Sequence, residues 1–314
     1  MKEQSLYPLK FHPVYKDYLW GGDRIIKTFN RRAPPGLYAE SWEVSDHRDG
    51  MSVVEGGPLA GKALHDLVAS AGADLLGAKV KSALFPLLIK LIDSRERLSV
   101  QVHPNDETAK KYGGEAKTEM WYILDASPGA RVFAGLEPGV DRARFEEAVR
   151  TQKFEDILTA VPVKPGDAVF MPGGRVHAID AGCLILECQQ NSNTTYRVYD
   201  WGRVGADGKP RALHIQEALQ VIEWGDRSDA KAKPRKTEDG RWEILTSPYF
   251  RMERLEGSAP MKVDHDGSTF HILFLAKGRV KINGEPVETG RSVLVPAGLR
   301  SYTIAPEGSF EILR

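Results

Sequence analysis

The chain has 314 residues, and its 43 lysines and arginines balance its 43 aspartates and glutamates, so the formal net charge is zero. Proteins that bind nucleic acid or a membrane surface need a basic excess on some face, so this balance argues against both kinds of partner. The length allows one large domain or two ordinary ones. No window approaches the roughly 20 apolar residues of a membrane helix, and the start, MKEQSLYPLKFHP, lacks the apolar run of a signal peptide.

Most of the chain is predicted to form short strands separated by glycine and proline. In chain order the predicted elements are a helix at 61–77, strands at 83–92, 97–103 and 119–124, a helix at 141–161, strands at 167–172, 182–190 and 194–201, and a helix at 214–224. Many short strands with turn signals between them favour a β-sandwich or barrel. We therefore predict a mainly β protein with a few helices in its connections.

The two cysteines, Cys183 and Cys188, lie five residues apart in the apolar run GCLILEC. An odd spacing puts them on opposite faces of a strand, which disfavours a disulfide between them. Two free thiols suit a reducing compartment, so we expect a cytoplasmic protein.

A polar, charged stretch near residue 230, GDRSDAKAKPRKTEDG, suggests a boundary between two domains. We expect an N-terminal domain at 1–225 with helical insertions, a solvated linker at 226–240 and a C-terminal domain at 241–314. The last of these contains further strand-like segments such as FHILFLA and RSVLVPA.

An internal repeat crosses that boundary. The segments VKPGDAVFMPGGRVHAI and VETGRSVLVPAGLRSYTI both follow the spacing G-x5-P-x-G-x2. The first copy contains Gly166, Pro172, Gly174 and His177, and the second contains Gly290, Pro296, Gly298 and Ser301. A shared turn skeleton predicts a repeated structural unit. Because serine stands where the first copy has histidine, we expect no metal site in the second unit.

The stretch SVQVHPNDE places three polar side chains on one face of a strand. Side chains alternate between the faces of a strand, so Ser99, Gln101 and His103 share one face, with Val100 and Val102 on the other. Such a polar face in a core strand predicts a pocket that uses these oxygen and nitrogen atoms.

The pattern G-x5-P-x-G-x2-H resembles the second motif of the cupin superfamily, although the usual first motif, with two histidines and a glutamate close together, is missing. QVHP followed by KTEMWYIL resembles type I phosphomannose isomerases, zinc enzymes that interconvert mannose 6-phosphate and fructose 6-phosphate. The matching segments are WGG (20–22), AESWEVSDH (39–47), PLLIKLIDSRERLSVQVHP (86–104), GRVHAI (174–179) and ECQQNSNTTYRVYDWGR (187–203). The length matches the short bacterial branch. The resemblance implies two cupin-type jelly-roll β-barrels, the first of them catalytic and the second degenerate.

Carried over motif by motif, the family's zinc ligands fall on Gln101, His103, Glu119 and His177, with one zinc ion per chain. Imidazole nitrogen and carboxylate oxygen are ligands that zinc accepts, and Gln101 and His103 face the same way. Two alternatives stay open here. In the first, Gln101 does not bind the ion and makes a hydrogen bond to one of its ligands. In the second, Glu119 is a surface glutamate and not a ligand.

The family's catalytic arginine falls on Arg197, which we expect to bind the sugar phosphate or the enediolate formed from it. The alternative is a structural salt bridge to Glu187 or Asp200. Lys117 is a candidate proton shuttle or phosphate ligand, unless it is solvent-exposed. Glu187 is a candidate acid or base, unless it is a paired structural carboxylate.

Ser99 is expected to line the same pocket as Lys117 and Arg197 and to contact substrate. The group that transfers the proton is Lys117, Glu187 or a zinc-bound water, and the sequence does not choose among the three. The predicted function is aldose–ketose isomerisation of a small sugar phosphate by a monomer or homodimer. Two rivals are an iron-dependent dioxygenase, which needs two histidines and one carboxylate, and a sugar-binding protein without catalysis.

Overall fold

The computed structural model describes residues 6–205 and 208–314, and its architecture is mainly antiparallel β-sheet. In the first two thirds of the chain the strands are β1 (Phe11–His12), β2 (Val14–Lys16), β3 (Glu40–Val44), β4 (Asp46–His47), β5 (Gly50–Met51), β6 (Val53–Val54), β7 (Leu87–Ser94), β8 (Val100–Val102), β9 (Glu119–Ala126), β10 (Arg131–Leu136), β11 (Leu158–Pro162), β12 (Ala168–Met171), β13 (His177–Ile179), β14 (Cys183–Gln190) and β15 (Tyr196–Tyr199). The remaining strands are β16 (Arg235–Lys236), β17 (Trp242–Thr246), β18 (Arg251–Gly257), β19 (Met261–Asp264), β20 (His271–Lys277), β21 (Arg279–Ile282), β22 (Glu285–Glu288), β23 (Ser292–Val295), β24 (Ser301–Pro306) and β25 (Phe310–Leu313).

In the described residues, six α-helices and one 3₁₀ turn lie in the connections. They are α1 (Arg24–Thr28), α2 (Leu64–Ala71), α3 (Ala73–Leu76), α4 (Asp106–Tyr112), α5 (Arg142–Thr151), α6 (Ile215–Val221) and the 3₁₀ turn Ala297–Leu299. None of the helices in the described ranges is long and apolar enough to cross a membrane.

The first part of the chain forms two sheets that pack face to face. The strand order is β12-β9-β14-β7-β3-β2 in the larger sheet and β11-β10-β13-β8-β15 in the smaller one. Apolar side chains from both sheets, among them Trp121, Ile185, Val132 and Ile179, make one core between them. Every residue of β7 is buried, as expected for the central apolar run LLIKLIDS. Helices α5 and α6 cover the outer face of the smaller sheet.

The last part of the chain repeats this arrangement on a smaller scale. Its sheets have the orders β16-β17-β18-β25-β20-β23 and β19-β24-β21-β22, with a core between them. The outer face of the six-stranded sheet packs on the outer face of the larger N-terminal sheet, so Leu186 and Ile89 share a core with Phe274 and Leu313. The two units are therefore joined by a continuous apolar layer.

The repeat found in the sequence corresponds to equivalent turns. Gly166 and Gly290 both have positive φ, +89° and +82°, and precede β12 and β23. Glycine is favoured there because other residues resist this conformation. The motif spacing places Ser301 at the position of His177, but the structure places the next residue there. Tyr302, rather than the half-buried Ser301, is fully buried in the second unit.

The predicted helices were longer than the observed ones. The 61–77 segment is two helices, because Gly72 interrupts it at φ +46°. In the 141–161 segment the helix ends at Thr151, followed by Gln152 in the left-handed region, and residues 158–162 pair with β10 as β11 instead. Helical spacing in this last stretch was overridden by sheet pairing.

The sequence also predicted a solvated linker and the placement of the two cysteines. The segment expected to be a solvated linker is partly tied down, because Ala230 O accepts a hydrogen bond from Phe170 N on β12. The cysteines lie on opposite faces of β14 as predicted. Cys183 is in the core between the N-terminal sheets, and Cys188 is in the core between the units.

Candidate active site

The residues predicted to form the site come together on neighbouring strands. Gln101 on β8 lies opposite His177 on β13 and also opposite Arg197 on β15. His103 follows directly after β8, and Glu119 is the first residue of β9 in the facing sheet. The site is therefore built between the two N-terminal sheets, where a polar strand face meets the start of β9.

Three buried side chains form a cluster fit for a cation. The ligand atoms of His103, Glu119 and His177 all lie within 4.8 Å of one another. His177 Nε2 is 3.3 Å from Glu119 Oε1, and His103 Nε2 is 3.6 Å from Glu119 Oε2. Each residue is only 1% exposed, which contradicts the alternative of a surface glutamate at position 119.

Backbone carbonyls orient both imidazoles toward the cluster. His103 Nδ1 donates to Thr194 O and His177 Nδ1 donates to Arg175 O, each at 2.8 Å. Each ring therefore carries its proton on Nδ1 and turns the lone pair of Nε2 inward, the arrangement typical of metal-binding histidines. Burial lowers the pKa of His177 to about 4 and, together with Lys117, lowers the pKa of His103 well below its usual range. Both rings are thus neutral, as ligands require.

The carboxylate of Glu119 is the remaining member of the cluster. Burial, followed by the charge of Glu187, raises the pKa of Glu119 to about 7. Its buried Oε2 atom lies 2.7 Å from Lys117 Nζ and makes no hydrogen bond to any other group in the described residues. A buried carboxylate needs a positive partner, and a bound metal cation would take the place of this ammonium. The donor set of two neutral imidazoles and one carboxylate therefore fits a metal ion of the zinc type.

Gln101 and Ser99 lie beside this cluster as expected. Gln101 Nε2 is 3.3 Å from His177 Nε2, and Ser99 Oγ donates to Gln101 Oε1 at 3.3 Å. Both residues line the cavity in front of the cluster. The amide reaches the ligand nitrogen of His177 itself, so the side chain is within reach of an ion held there.

Lys117 is buried among the same atoms. Its Nζ lies 2.7 Å from Glu119 Oε2, 3.2 Å from His103 Nε2 and 3.6 Å from Glu187 Oε1. The side chain is only 6% exposed, so the alternative of a solvent-exposed lysine is wrong. A metal ion at the cluster would displace this ammonium from the ligand atoms, and Glu187 is the remaining carboxylate beside it.

The cluster opens into a polar cavity of about 330 Å³. Ser99, Gln101, Lys117, Glu119, Glu187 and Arg197 are among its lining residues. The volume is within the range of about 300–1,000 Å³ that is usual for small-molecule sites. All the side chains predicted to meet substrate thus face one space.

Comparisons with known proteins identify the family of this chain. Residues 8–130 match the model of the type I phosphomannose isomerase catalytic domain. The mannose-6-phosphate isomerase of Streptococcus mutans is 34% identical over 311 residues, which cover 98% of this chain and 97% of that protein. The chain belongs to the type I phosphomannose isomerase family.

Solved structures of this family show the same fold. The crystal structure of mannose 6-phosphate isomerase from Bacillus subtilis matches with a TM-score of 0.88 and 29% identity, over 98% of this chain and all of that one. A mannose 6-phosphate isomerase bound with zinc and yttrium matches with a TM-score of 0.75 over 98% of this chain and 99% of that one, at 16% identity. The fold described above is therefore that of the family.

In this phosphomannose isomerase family member, Arg197 faces the cavity without a carboxylate partner. Its Nη1 donates to Ala212 O at 3.0 Å, and in the described part of the chain no acidic side chain pairs with it. Asp200 pairs instead with Arg203 and Arg211, so the alternative of a salt bridge from Arg197 to Asp200 or Glu187 is wrong. Burial, followed by the charge of Arg211, lowers the pKa of Arg197.

Sequence reasoning missed three charged residues of the cavity wall, Lys90, Glu40 and Arg211. Lys90 Nζ lies 3.3 Å from Glu187 Oε1 and 3.5 Å from Glu40 Oε2. Burial alone would raise the pKa of Glu187, but Lys90 and then Lys117 outweigh it, so the pKa is lowered and the carboxylate stays charged. Trp121 Nε1 holds its other oxygen at 3.1 Å. The sequence signal that could have indicated Lys90 is its place as a single lysine inside the apolar run LLIKLI.

Proposed function

We propose that this chain interconverts D-mannose 6-phosphate and D-fructose 6-phosphate, with one zinc ion per chain held by Gln101, His103, Glu119 and His177. The observation that carries the proposal is the buried His103–Glu119–His177 cluster at the wall of a cavity that also contains an unpaired arginine. Family membership over nearly the whole chain supports the substrate. The zinc found in a homologous structure supports the metal.

The donor set supports zinc at this position. Two imidazole Nε2 atoms are already turned inward, and Glu119 Oε2 faces them with the Lys117 ammonium as its present cation. Gln101 contributes a neutral amide, which leaves the centre more electron-poor than a second carboxylate would. When bound, zinc supplies Lewis-acid polarisation of the sugar carbonyl oxygen. Lys117 then turns toward Glu187, the other carboxylate within its reach.

The reaction needs one group to stabilise negative charge and another to carry a proton between C1 and C2. We assign charge stabilisation to Arg197, because its guanidinium is half-buried and has no competing carboxylate. We assign the proton transfer to the pair Glu187 and Lys117, whose charged atoms lie 3.6 Å apart on the cavity wall. Ser99 contacts a sugar hydroxyl. The intermediate is an enediolate.

We further propose that each pair of packed sheets is a cupin-type jelly-roll barrel. The repeated strand orders and the two equivalent glycine turns support this. The domains then run 1–225 and 241–314, with 226–240 as the linker. Two buried, unpaired cysteines support a cytoplasmic location, and a small sugar phosphate is the partner.

The assay that tests the function measures fructose 6-phosphate formed from mannose 6-phosphate. It is run on purified protein, after chelation, and after zinc is added back, with the metal content measured at each stage. We expect activity that disappears with the metal and returns with about one zinc per chain. A protein that carries iron and never isomerises the sugar at any metal loading would overturn the proposal.

A further inference from the structure

The C-terminal unit carries a second polar cluster at the position equivalent to the active site. In the first unit, Glu119 pairs across the sheet with Met171, the residue before Pro172. In the second unit, His271 pairs with Val295, the residue before Pro296. His271 therefore occupies the position of Glu119, on the corresponding strand of the corresponding sheet.

The residues around His271 also match those of the first site by position. His177 reaches Glu119 in the first unit, and Tyr302 reaches His271 in the second, where Tyr302 Oη is 3.0 Å from His271 Nδ1. His265, which follows β19, packs on His271 with ring centroids 4.7 Å apart. The second unit thus retains an inward polar site with different side chains.

An ion pair lies behind the site in each unit, and the strands that supply its acidic and basic residues are exchanged between the two units. In the first unit Glu187 on β14 pairs with Lys90 on β7. In the second, Arg314 follows β25 and exchanges two backbone hydrogen bonds with Glu253 on β18. Arg314 Nε also donates to Glu253 Oε2 at 2.9 Å. The strand that supplies an acid in the first unit therefore supplies a base in the second.

Two more arginines lie close to Glu253, the buried glutamate of this ion pair. Arg241 Nη1 lies 3.5 Å and Arg251 Nε lies 3.7 Å from Glu253 Oε1. Arg241 also pairs with Asp239, whereas the side chain of Arg251 is 54% exposed and has no ion pair besides the one with Glu253 in the described residues. Burial, followed by the charges of Arg314, His265 and the other two arginines, lowers the pKa of His271 to about 3. We name Arg241, Arg251 and Arg314 the arginine cluster.

A further hydrogen-bond donor at this site has no partner. His265 Nδ1 accepts a hydrogen bond from Gly267 N at 3.3 Å, so the proton of the neutral ring lies on Nε2. That Nε2 atom is buried and makes no hydrogen bond. Donors without acceptors beside an excess of guanidinium groups favour a bound oxyanion.

We propose that the C-terminal unit binds a small oxyanion, a phosphate or carboxylate group, between the arginine cluster and His265. The first site presents carboxylates and imidazole lone pairs to a cation, and the equivalent second site presents guanidinium and N–H donors to an anion. Arg251 provides the solvent-facing contact, since its side chain is 54% exposed and lies 3.7 Å from Glu253 through Nε. This binding does not depend on the proposed isomerase activity.

The test follows histidine signals in full-length protein labelled with ¹⁵N-histidine. Inorganic phosphate and, separately, acetate are added at constant pH against sodium chloride of matched ionic strength. His265 and His271 signals are assigned with His265→Gln and His271→Gln. We expect saturable shifts of these two signals with one or both oxyanions, and Arg251→Gln should weaken the binding at least about tenfold. Signals of His103 and His177 report binding at the active site separately.

The matched control is Arg279→Gln, an exposed arginine on β21 of the same unit. It should leave the shifts unchanged. Both variants should keep the wild-type melting temperature, which verifies folding. The absence of saturable shifts of His265 and His271 with either oxyanion, or equal binding by wild type and Arg251→Gln, would overturn the proposal.

Discussion

Individual residues of the active site were predictable where a strand face repeats every second position. Ser99, Gln101 and His103 were expected to face one pocket, and Ser99 and Gln101 line the cavity beside His103. The partners of Arg197 and Glu187 were left open, because a charge on one strand is paired by residues on other strands. Lys90 was missed for the same reason, although it pairs with Glu187.

Replacing Arg197 by lysine tests its proposed role in charge stabilisation. A lysine keeps the positive charge but loses the planar fork that binds an oxyanion with two hydrogen bonds. We expect kcat/KM for mannose 6-phosphate to fall by about 100-fold, with an unchanged melting temperature. Arg142→Lys, at an exposed position of α5, is the control. Near-normal turnover of Arg197→Lys would contradict the assignment.

Replacing Glu119 by glutamine tests the metal centre. The substitution keeps the shape of the side chain but removes its negative charge. We expect zinc affinity to fall by at least about 10–100-fold, the loss that follows when a metal's supporting groups are disturbed. The measurement is metal per chain after dialysis. Glu107→Gln on the exposed side of α4 should retain one zinc, and full zinc content in Glu119→Gln would exclude it as a ligand.

At the scale of elements, one turn positions the segment that carries His103. The turn between β12 and β13 packs on the chain that follows β8, where Gly174 N donates to His103 O at 2.7 Å. A Cβ atom on Gly173 would lie 2.7 Å from Asn105 Cα and 2.8 Å from Pro104 O. The motif spacing predicted this turn. The sequence did not reveal that Gly173, at a variable position of the motif, is needed for close approach to a distant loop.

Gly173→Ala should therefore damage both stability and the site. Because the opposing atoms are backbone, they cannot rotate away, and overpacking of this kind lowers the free energy of unfolding by about 1–3 kcal/mol. We expect zinc content to fall as well, since His103 is displaced. Denaturant unfolding and metal analysis measure the two effects. Gly56→Ala, where nothing lies within 4 Å of the added atom, should change neither. Equal behaviour of the two variants would show that the contact is unimportant.

At the scale of the whole molecule, the two units are joined by a shared apolar core and not by a linker alone. Phe85 is fully buried between them and packs on Phe270 with ring centroids 4.5 Å apart. Leu9 N and O bond to Leu294 O and N, so the N-terminal segment adds to the C-terminal sheet. Strand-like patterns predicted both units, but no local pattern predicted which outer faces meet.

Phe85→Ala should lower the free energy of unfolding by about 3–5 kcal/mol, because it leaves a cavity in the shared core. Its neighbour Leu84, 45% exposed, is the control, and Leu84→Ala should change that free energy by less than about 0.5 kcal/mol. Chemical denaturation of both variants gives the comparison. A small effect at Phe85 would mean that the units do not stabilise each other through this contact.

By itself the sequence determined the mainly β class, the repeated turns and the opposite faces of the two cysteines. All of these depend on spacing along a few residues of chain, where backbone geometry is local. Only the tertiary structure decided that Arg197 is unpaired, that Lys90 supports Glu187, that Tyr302 takes the inward position beside His271, and that Ala230 runs along β12. These depend on strand register and sheet packing, which bring together residues far apart in sequence and so leave no local pattern.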